Sequence, residues 1–320
     1  MKTYATLGPA CCKKEVLAQM LSDGLNGFRL NLSHTSLPQC APWINALHEA
    51  EELSSKKAEL IIDMRGGEVR IGTLSHPLHL HAGDIVELGV DIPVDDDIIS
   101  ALVPGLSLLL DDGGISLTVL SADGKCRVKR GGMLGSRKSL SGIDLVRPAV
   151  SEEDHADMAL AKSYGVTGIM HPFVRSRDDL LQVRQAMAEH DIADLTLFAK
   201  VEDSQGLSTL SEWLDLADVI TVARGDLGTN LPLWELPKAQ KDIAAICREA
   251  DKPFLVVTQL LHSMIENPMP TRAEVLDIYN ACLDGASALM LTNETAQGSY
   301  GESAVRWLIK VANEGEKDRA

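Results

Sequence analysis

No run of 18 or more apolar residues interrupts this chain of 320 residues, and no charged-then-apolar leader opens it, so neither a membrane-spanning helix nor an export signal is expected. Clustered positive charge is missing too: 30 Lys and Arg stand against 46 Asp and Glu, a formal charge of −16. Neutralising the phosphates of a duplex takes concentrated Lys and Arg, so nucleic acid is not an expected partner. The six cysteines, Cys11, Cys12, Cys40, Cys126, Cys247 and Cys282, contain no CxxC spacing. They read as reduced thiols of a cytoplasmic protein, with neither zinc nor disulfides indicated. Pro- or Ser-rich linkers, solenoid-length repeats and low-complexity tracts are absent. What is left is a soluble chain, 45% hydrophobic, of one large or two modest domains.

What is present is an alternation. Eight short β-like runs, Thr3 to Leu7, Gly27 to Asn31, Ala58 to Met64, Gly168 to His171, Leu195 to Ala199, Val219 to Ala223, Phe254 to Thr258 and Ala288 to Leu291, are separated by helix-length amphipathic stretches such as Ser151 to Tyr164 and Pro237 to Ala250. Strand then helix, eight times, predicts parallel pairing through right-handed crossovers and a closed (β/α)8 TIM barrel. Between Met64 and Ser151 the pattern changes to short β runs broken by Gly and Asp turns. Residues 67–145 therefore read as a small β domain inserted after strand three, with 1–66 and 146–320 as the barrel. The barrel part has about 240 residues, near the usual size of the fold.

Two strand ends draw attention. Apolar runs stop abruptly at Ala199-Lys200-Val201-Glu202-Asp203 and at Val222-Ala223-Arg224-Gly225-Asp226-Leu227-Gly228, and barrel enzymes keep their chemistry at strand C-termini. Lys200, Glu202 and Asp226 would place one cation beside two carboxylates, for which Mg2+ is the simplest neutraliser. Blander readings exist: Lys200 with Glu202 as a surface ion pair, or Asp226 as a helix cap. His76, His79 and His81 read as an exposed face of a β run, Asp95, Asp96 and Asp97 as a solvated turn, and Cys11-Cys12 as packing at a helix start.

The motifs, taken in order, resemble the pyruvate kinase family over almost the whole barrel and most of the insertion. They are Thr6-Leu7-Gly8-Pro9-Ala10, Phe28-Arg29-Leu30-Asn31-Leu32-Ser33-His34, Arg65-Gly66-Gly67-Glu68-Val69-Arg70, Asp111-Asp112-Gly113, Leu134-Gly135-Ser136-Arg137-Lys138, Pro148-Ala149-Val150-Ser151-Glu152, the two strand ends above, Val257-Thr258-Gln259, Asn267-Pro268-Met269-Pro270-Thr271-Arg272-Ala273-Glu274 and Asn293-Glu294-Thr295-Ala296. The resemblance implies a glycolytic phosphotransferase that converts phosphoenolpyruvate and ADP to pyruvate and ATP. It also implies that Glu202 and Asp226 hold Mg2+ or Mn2+, that Lys200 lies against the phosphoryl group in flight, and that Arg29 and Arg70 grip phosphates. The backbone at Arg224, Gly225 and Asp226 would receive the substrate carboxylate, and Thr258 would stand near the carbon that gains a proton. Asn31, Ser33 and Asp63 match potassium ligands, Glu68 matches the glutamate that accompanies potassium dependence, and His34 is a nucleotide candidate beside Arg70. Partners are then small molecules, with homo-oligomerisation compatible.

Departures from the family pattern are Met64 for threonine, Arg65 for lysine, Gly67 for proline, Pro172 for serine and Thr292-Asn293 for Ser-Gly. Gly66-Gly67 predicts a loose connection into a lid that closes over nucleotide, with Val146-Arg147 as the return. The chain stops about one helix after Glu294, so control through a C-terminal effector domain is not expected. Two other functions fit part of the pattern: an Mg2+-dependent lyase or decarboxylase on a 2-oxo acid, and a non-catalytic ligand-binding regulator. Lys200, Arg29 and Arg70 favour the phosphotransferase, because their charges have less to do without a phosphoryl group.

Overall fold

The eight apolar runs form eight parallel strands: Lys2–Thr6, Gly27–Asn31, Glu59–Asp63, Gly168–His171, Thr196–Val201, Val219–Ala223, Phe254–Val257 and Ala288–Met290. Each pairs with its neighbour in chain order and the eighth pairs with the first, closing the barrel. The structure is a computed structural model that describes every residue except His34, Glu68, Asp112, Asp144, Val146 and Ala320. The expectations placed on His34, Glu68, Asp112 and Val146 lie outside the described residues.

Strands buried on both faces read as near-continuous apolar runs, and alternate side chains divide between two layers. Tyr4, Ile61, Met170, Phe198, Leu255 and Met290 fill the barrel interior, with Tyr4 edge-on to Phe198 at 6.3 Å. The opposite faces pack under the surrounding helices, whose starts carry their own signals. Ser151 with Asp154, Ser176 with Asp179 and Thr271 with Glu274 form capping boxes, each supplying first-turn N–H groups with acceptors.

The fifth strand runs two residues beyond its apolar stretch, because Lys200 and Val201 pair with Thr221 and Val222 of the sixth. Ladder pairing outweighs the local fall in hydrophobicity and makes Lys200 an inward-facing strand residue. At the end of the third strand, the N–H groups of Arg65 and Gly66 both donate to the Asp154 carboxylate, at 2.9 and 2.8 Å. Gly66 has φ +57°, and an added Cβ would come within 2.8 Å of Pro172 Cγ. The first glycine of the pair is therefore held in place, where the sequence alone suggests a loose connection.

The chain divides into two compact units, Met1–Gly66 with Ala149–Ala320, and Gly67–Pro148. The second contains a five-stranded sheet and a two-stranded sheet around Val86, Leu108, Leu117 and Val128. Here the reading of Asp95, Asp96 and Asp97 as a solvated turn needs correction. Asp96–Ser100 is a short helix, and Asp95 and Asp97 pair with Arg147; acidic side chains in a first turn suit the helix dipole. His79 and His81 are exposed with ring centroids 4.6 Å apart. All six cysteines are free. Among the described residues no helix is long and apolar enough to cross a membrane.

Candidate active site

Lys200 is enclosed by carboxylates. Its Nζ lies 3.0 Å from Glu202 Oε1 and 3.2 Å from Asp63 Oδ1, with side-chain exposures of 12% for Lys200, 1% for Glu202 and 2% for Asp63. A surface ion pair is excluded by that burial. Asp63 is shared, since its Oδ2 also accepts from Arg29 Nε at 2.8 Å and lies 2.6 Å from Arg29 Nη2. Arg29 in turn donates through Nη1 to Thr6 Oγ1 at 3.3 Å. Strand register explains the meeting, because Asn31 stands opposite Asp63, Asp63 opposite Met170, and Met170 opposite Phe198, two residues before Lys200, so the ends of strands two, three and five converge.

The two carboxylates beside Lys200 respond in opposite directions. Burial raises the Asp63 pKa, but Lys200 and Arg29 outweigh it and hold the group below the usual carboxylate range. For Glu202, burial outweighs the single cation Lys200, with Asp226 and Asp63 adding repulsion, and the group is pushed up to about 7. Burial alone would lower the Lys200 pKa, yet Asp63 and Glu202 together raise it. Lys200 is thus a fixed ammonium. With Glu202 ionised, three carboxylates face two cations and the cluster carries a net negative charge.

Glu202 is positioned from both sides. Its Oε2 accepts the Phe173 N–H at 2.8 Å, and Asp203 caps the following helix by accepting from Gly206 N at 2.8 Å. Phe173 adopts φ +48°, costly for a bulky side chain and found where surrounding structure enforces it. Asp226 is the third residue of the helix Arg224–Asn230; Ala223 occupies the cap position and provides no capping side chain. The helix-cap reading of Asp226 therefore fails, and its helix starts without a side-chain cap.

Thr258 has φ +80° and Gln259 φ +54°. The Arg224 guanidinium holds this turn, donating to the Thr258 carbonyl from Nε at 3.2 Å and Nη2 at 2.8 Å while Nη1 bonds both oxygens of Asp277 at 2.8 Å. Arg224 thereby borders a cavity of about 560 Å³ shared with Gln240, Gln259 and Asp277. A Cβ on Gly225 would lie 3.3 Å from Thr258 Cγ2, so the two residues are in contact. Asn31 Oδ1 accepts from Ser33 N at 3.2 Å. Arg70 belongs to the Gly67–Pro148 unit, where its Nη1 donates to the Arg137 carbonyl at 2.7 Å.

Three buried polar side-chain atoms among the described residues have no hydrogen-bond partner: Asp63 Oδ1, His171 Nδ1 and Thr221 Oγ1. Asp63 Oδ1 is near Lys200 Nζ without hydrogen-bond geometry, and Thr221 is the register partner of Lys200. His171 has its pKa lowered by burial to about 4 and is neutral in the fold. Between about pH 6.5 and 4 the unfolded chain binds a proton that the fold refuses, so this contribution to stability is lost as pH falls. Glu202 acts with the opposite sign between about 4.5 and 7, where the fold keeps a proton that the unfolded chain has released. In a Glu202→Gln background, unfolding free energies from urea titrations at pH 6.5 and 4.5 should differ by on the order of 2 kcal/mol with His171 present and by clearly less in His171→Leu. Equal losses in both would remove His171 as the responsible group.

Two contacts that build this cluster escaped sequence reasoning. Asp63, singled out in the sequence only as a match to a potassium ligand, is also the shared partner of Arg29 and Lys200; a charge ending an apolar run, the signal that singles out Lys200, could have found it. The Phe173 N–H has no sequence signal, since only its backbone takes part.

Comparisons with known proteins point to one family. Residues 1–305 match the family model for the pyruvate kinase barrel domain. A pyruvate kinase from Aeropyrum pernix is 38% identical over 329 residues, covering 100% of this chain and 72% of that protein. One from Borreliella burgdorferi is 34% identical, covering 99% and 69%. One from Bacillus licheniformis is 33% identical over 99% of this chain, which spans only 57% of that relative's length.

Proposed function

Because the chain belongs to the pyruvate kinase family, we propose that it moves a phosphoryl group from phosphoenolpyruvate to ADP, giving pyruvate and ATP, as a glycolytic kinase of the cytoplasm. The observation that carries this reading is the buried cluster of Arg29, Asp63, Lys200 and Glu202 at adjoining strand ends. Phosphoryl transfer asks a protein chiefly for positioning and charge neutralisation. Lys200 Nζ, held by two carboxylates, faces the phosphoryl oxygens, and Arg29 adds a second positive charge. The uncapped N–H groups opening the helix at Arg224, Gly225 and Asp226 receive the substrate carboxylate. Thr258 Oγ1, on a turn clamped by Arg224, delivers a proton through water to the carbon that becomes the methyl of pyruvate.

The donor set fits a hard divalent cation. Glu202 and Asp226 repel one another in a cluster that carries excess negative charge once Glu202 is ionised. Mg2+ takes one or two carboxylates and completes its shell from substrate oxygens and water, so Glu202 and Asp226 suffice as its protein ligands. Bound by Glu202 and Asp226, Mg2+ or Mn2+ supplies charge neutralisation and Lewis acidity. Asn31, Ser33 and Asp63 are the candidates for K+, with Asp63 Oδ1 the oxygen left without a hydrogen bond. Neither the 2-oxo-acid lyase nor the non-catalytic regulator is favoured, since pyruvate kinases match along the whole chain.

A coupled assay with phosphoenolpyruvate, ADP and Mg2+ should yield equal amounts of pyruvate and ATP. Glu202→Gln should abolish the calorimetric signal of Mg2+ binding and lower kcat by roughly a hundredfold or more. The reading is overturned by a wild-type protein that turns over no nucleoside diphosphate with phosphoenolpyruvate.

A further inference from the structure

We propose that Asn230 is a positioning residue for the divalent cation, tying together the two chain segments that bear Glu202 and Asp226; this rests on the functional reading above. Asn230 ends the short helix Arg224–Asn230. Its Nδ2 donates to the carbonyl of Glu202 at 3.1 Å and to the carbonyl of Asp226 at 3.0 Å. Carbonyls only accept, so both partners demand the nitrogen, and the amide can face them in one orientation only. One partner lies just past the strand Thr196–Val201, the other in the helix that follows Val219–Ala223. The NH2 group therefore spans the seam between two neighbouring strand-helix units.

That seam needs a tie. The ladder between the two strands ends at Val201 paired with Val222, one residue before Glu202. On its own side Glu202 is already fixed, with Oε2 on the Phe173 N–H and Oε1 beside Lys200. The separation of the two carboxylates is thus set by where the helix Arg224–Asn230 sits relative to the Glu202 backbone, and Asn230 joins the two directly. Mg2+ demands near-ideal octahedral geometry at short metal–oxygen distances, so small shifts of one ligand matter. Removing partners that orient ligands typically lowers metal affinity ten- to a hundredfold.

The test titrates Mn2+ alone, followed by electron paramagnetic resonance, against wild type, Asn230→Leu and Glu202→Gln, below the thermal transition of each. Asn230→Leu keeps the size and neutrality of the side chain and removes both donors. Its Mn2+ dissociation constant should rise about tenfold or more, with a broadened bound-Mn2+ line. If Asn230→Leu does not fold, Asn230→Ala takes its place under the same criterion. Mn2+ binding within twofold of wild type, while Glu202→Gln has lost it, overturns the role of Asn230 and leaves the two-carboxylate site standing. Undiminished binding in Glu202→Gln overturns the site itself.

Discussion

Lys200→Met is expected to lower kcat for phosphoryl transfer roughly a thousandfold while leaving phosphoenolpyruvate affinity within a few-fold of wild type. A buried ammonium, 12% exposed and flanked by Asp63 and Glu202, is oriented before the reaction begins. Deleting one oriented donor from such a site commonly removes two to three powers of ten, and a full charge in a water-poor setting belongs at the upper end. The loss should fall on kcat because the interaction strengthens as charge develops on the migrating group. Lys200→Arg should not restore activity, since a planar fork cannot occupy the point between two carboxylates that an ammonium fills. Rapid-quench turnover combined with calorimetric titration of phosphoenolpyruvate separates the two parameters. Near-wild-type kcat in Lys200→Met would take Lys200 out of the chemistry.

Asp63→Asn should produce the largest loss of stability of any single substitution in the cluster. It keeps the shape but removes the negative charge that Arg29 and Lys200 share. Breaking one side of a buried ion pair typically costs about 3–5 kcal/mol, because the partner charge stays buried and unpaired; here two cations lose their partner at once. For a domain of this size that corresponds to a fall in Tm on the order of 10 °C. The pH dependence has a definite sign. The Asp63 pKa is lowered in the fold, so its contribution is present above the carboxylate's unfolded pKa and is lost as pH falls through the folded value. Melting curves of wild type and Asp63→Asn should accordingly be far apart at pH 7 and draw together under strongly acid conditions. A constant gap at all pH values would mean that shape, not charge, is what the substituted amide fails to supply.

Much of the site can be found along the chain because a barrel places chemistry where an apolar strand stops. Lys200, Glu202, Asp63 and Arg29 each interrupt or end such a run, and a strand's two-residue period marks which of them point inward. Other features had no local signature. The side chain of Arg224 clamps the Thr258 carbonyl and Asp277, although its motif draws attention to the backbone. Thr258 and Phe173 have positive φ, a conformation that neither residue type announces. The Asn230 amide bridges two carbonyls 28 and 4 residues away, and nothing in its immediate sequence points to the more distant one.

Hydrophobic periodicity and its abrupt ends determined by themselves that this chain makes eight parallel strands with helices between them, since those patterns express which face of each segment must leave water. Residue chemistry at the strand ends likewise pointed to a hard cation and an anionic substrate, while a phosphorylated substrate was implied by the resemblance of the motifs taken together. Tertiary structure alone decided how the charges are shared: that Asp63 serves Arg29 and Lys200 together, that Glu202 is pushed up to about 7 while Asp63 is held low, and that Gly66 is pinned where the chain looked loose. The physical reason is that periodicity is a property of one segment, whereas pairing, desolvation and pKa depend on distances between segments, which exist only once strand register closes the barrel.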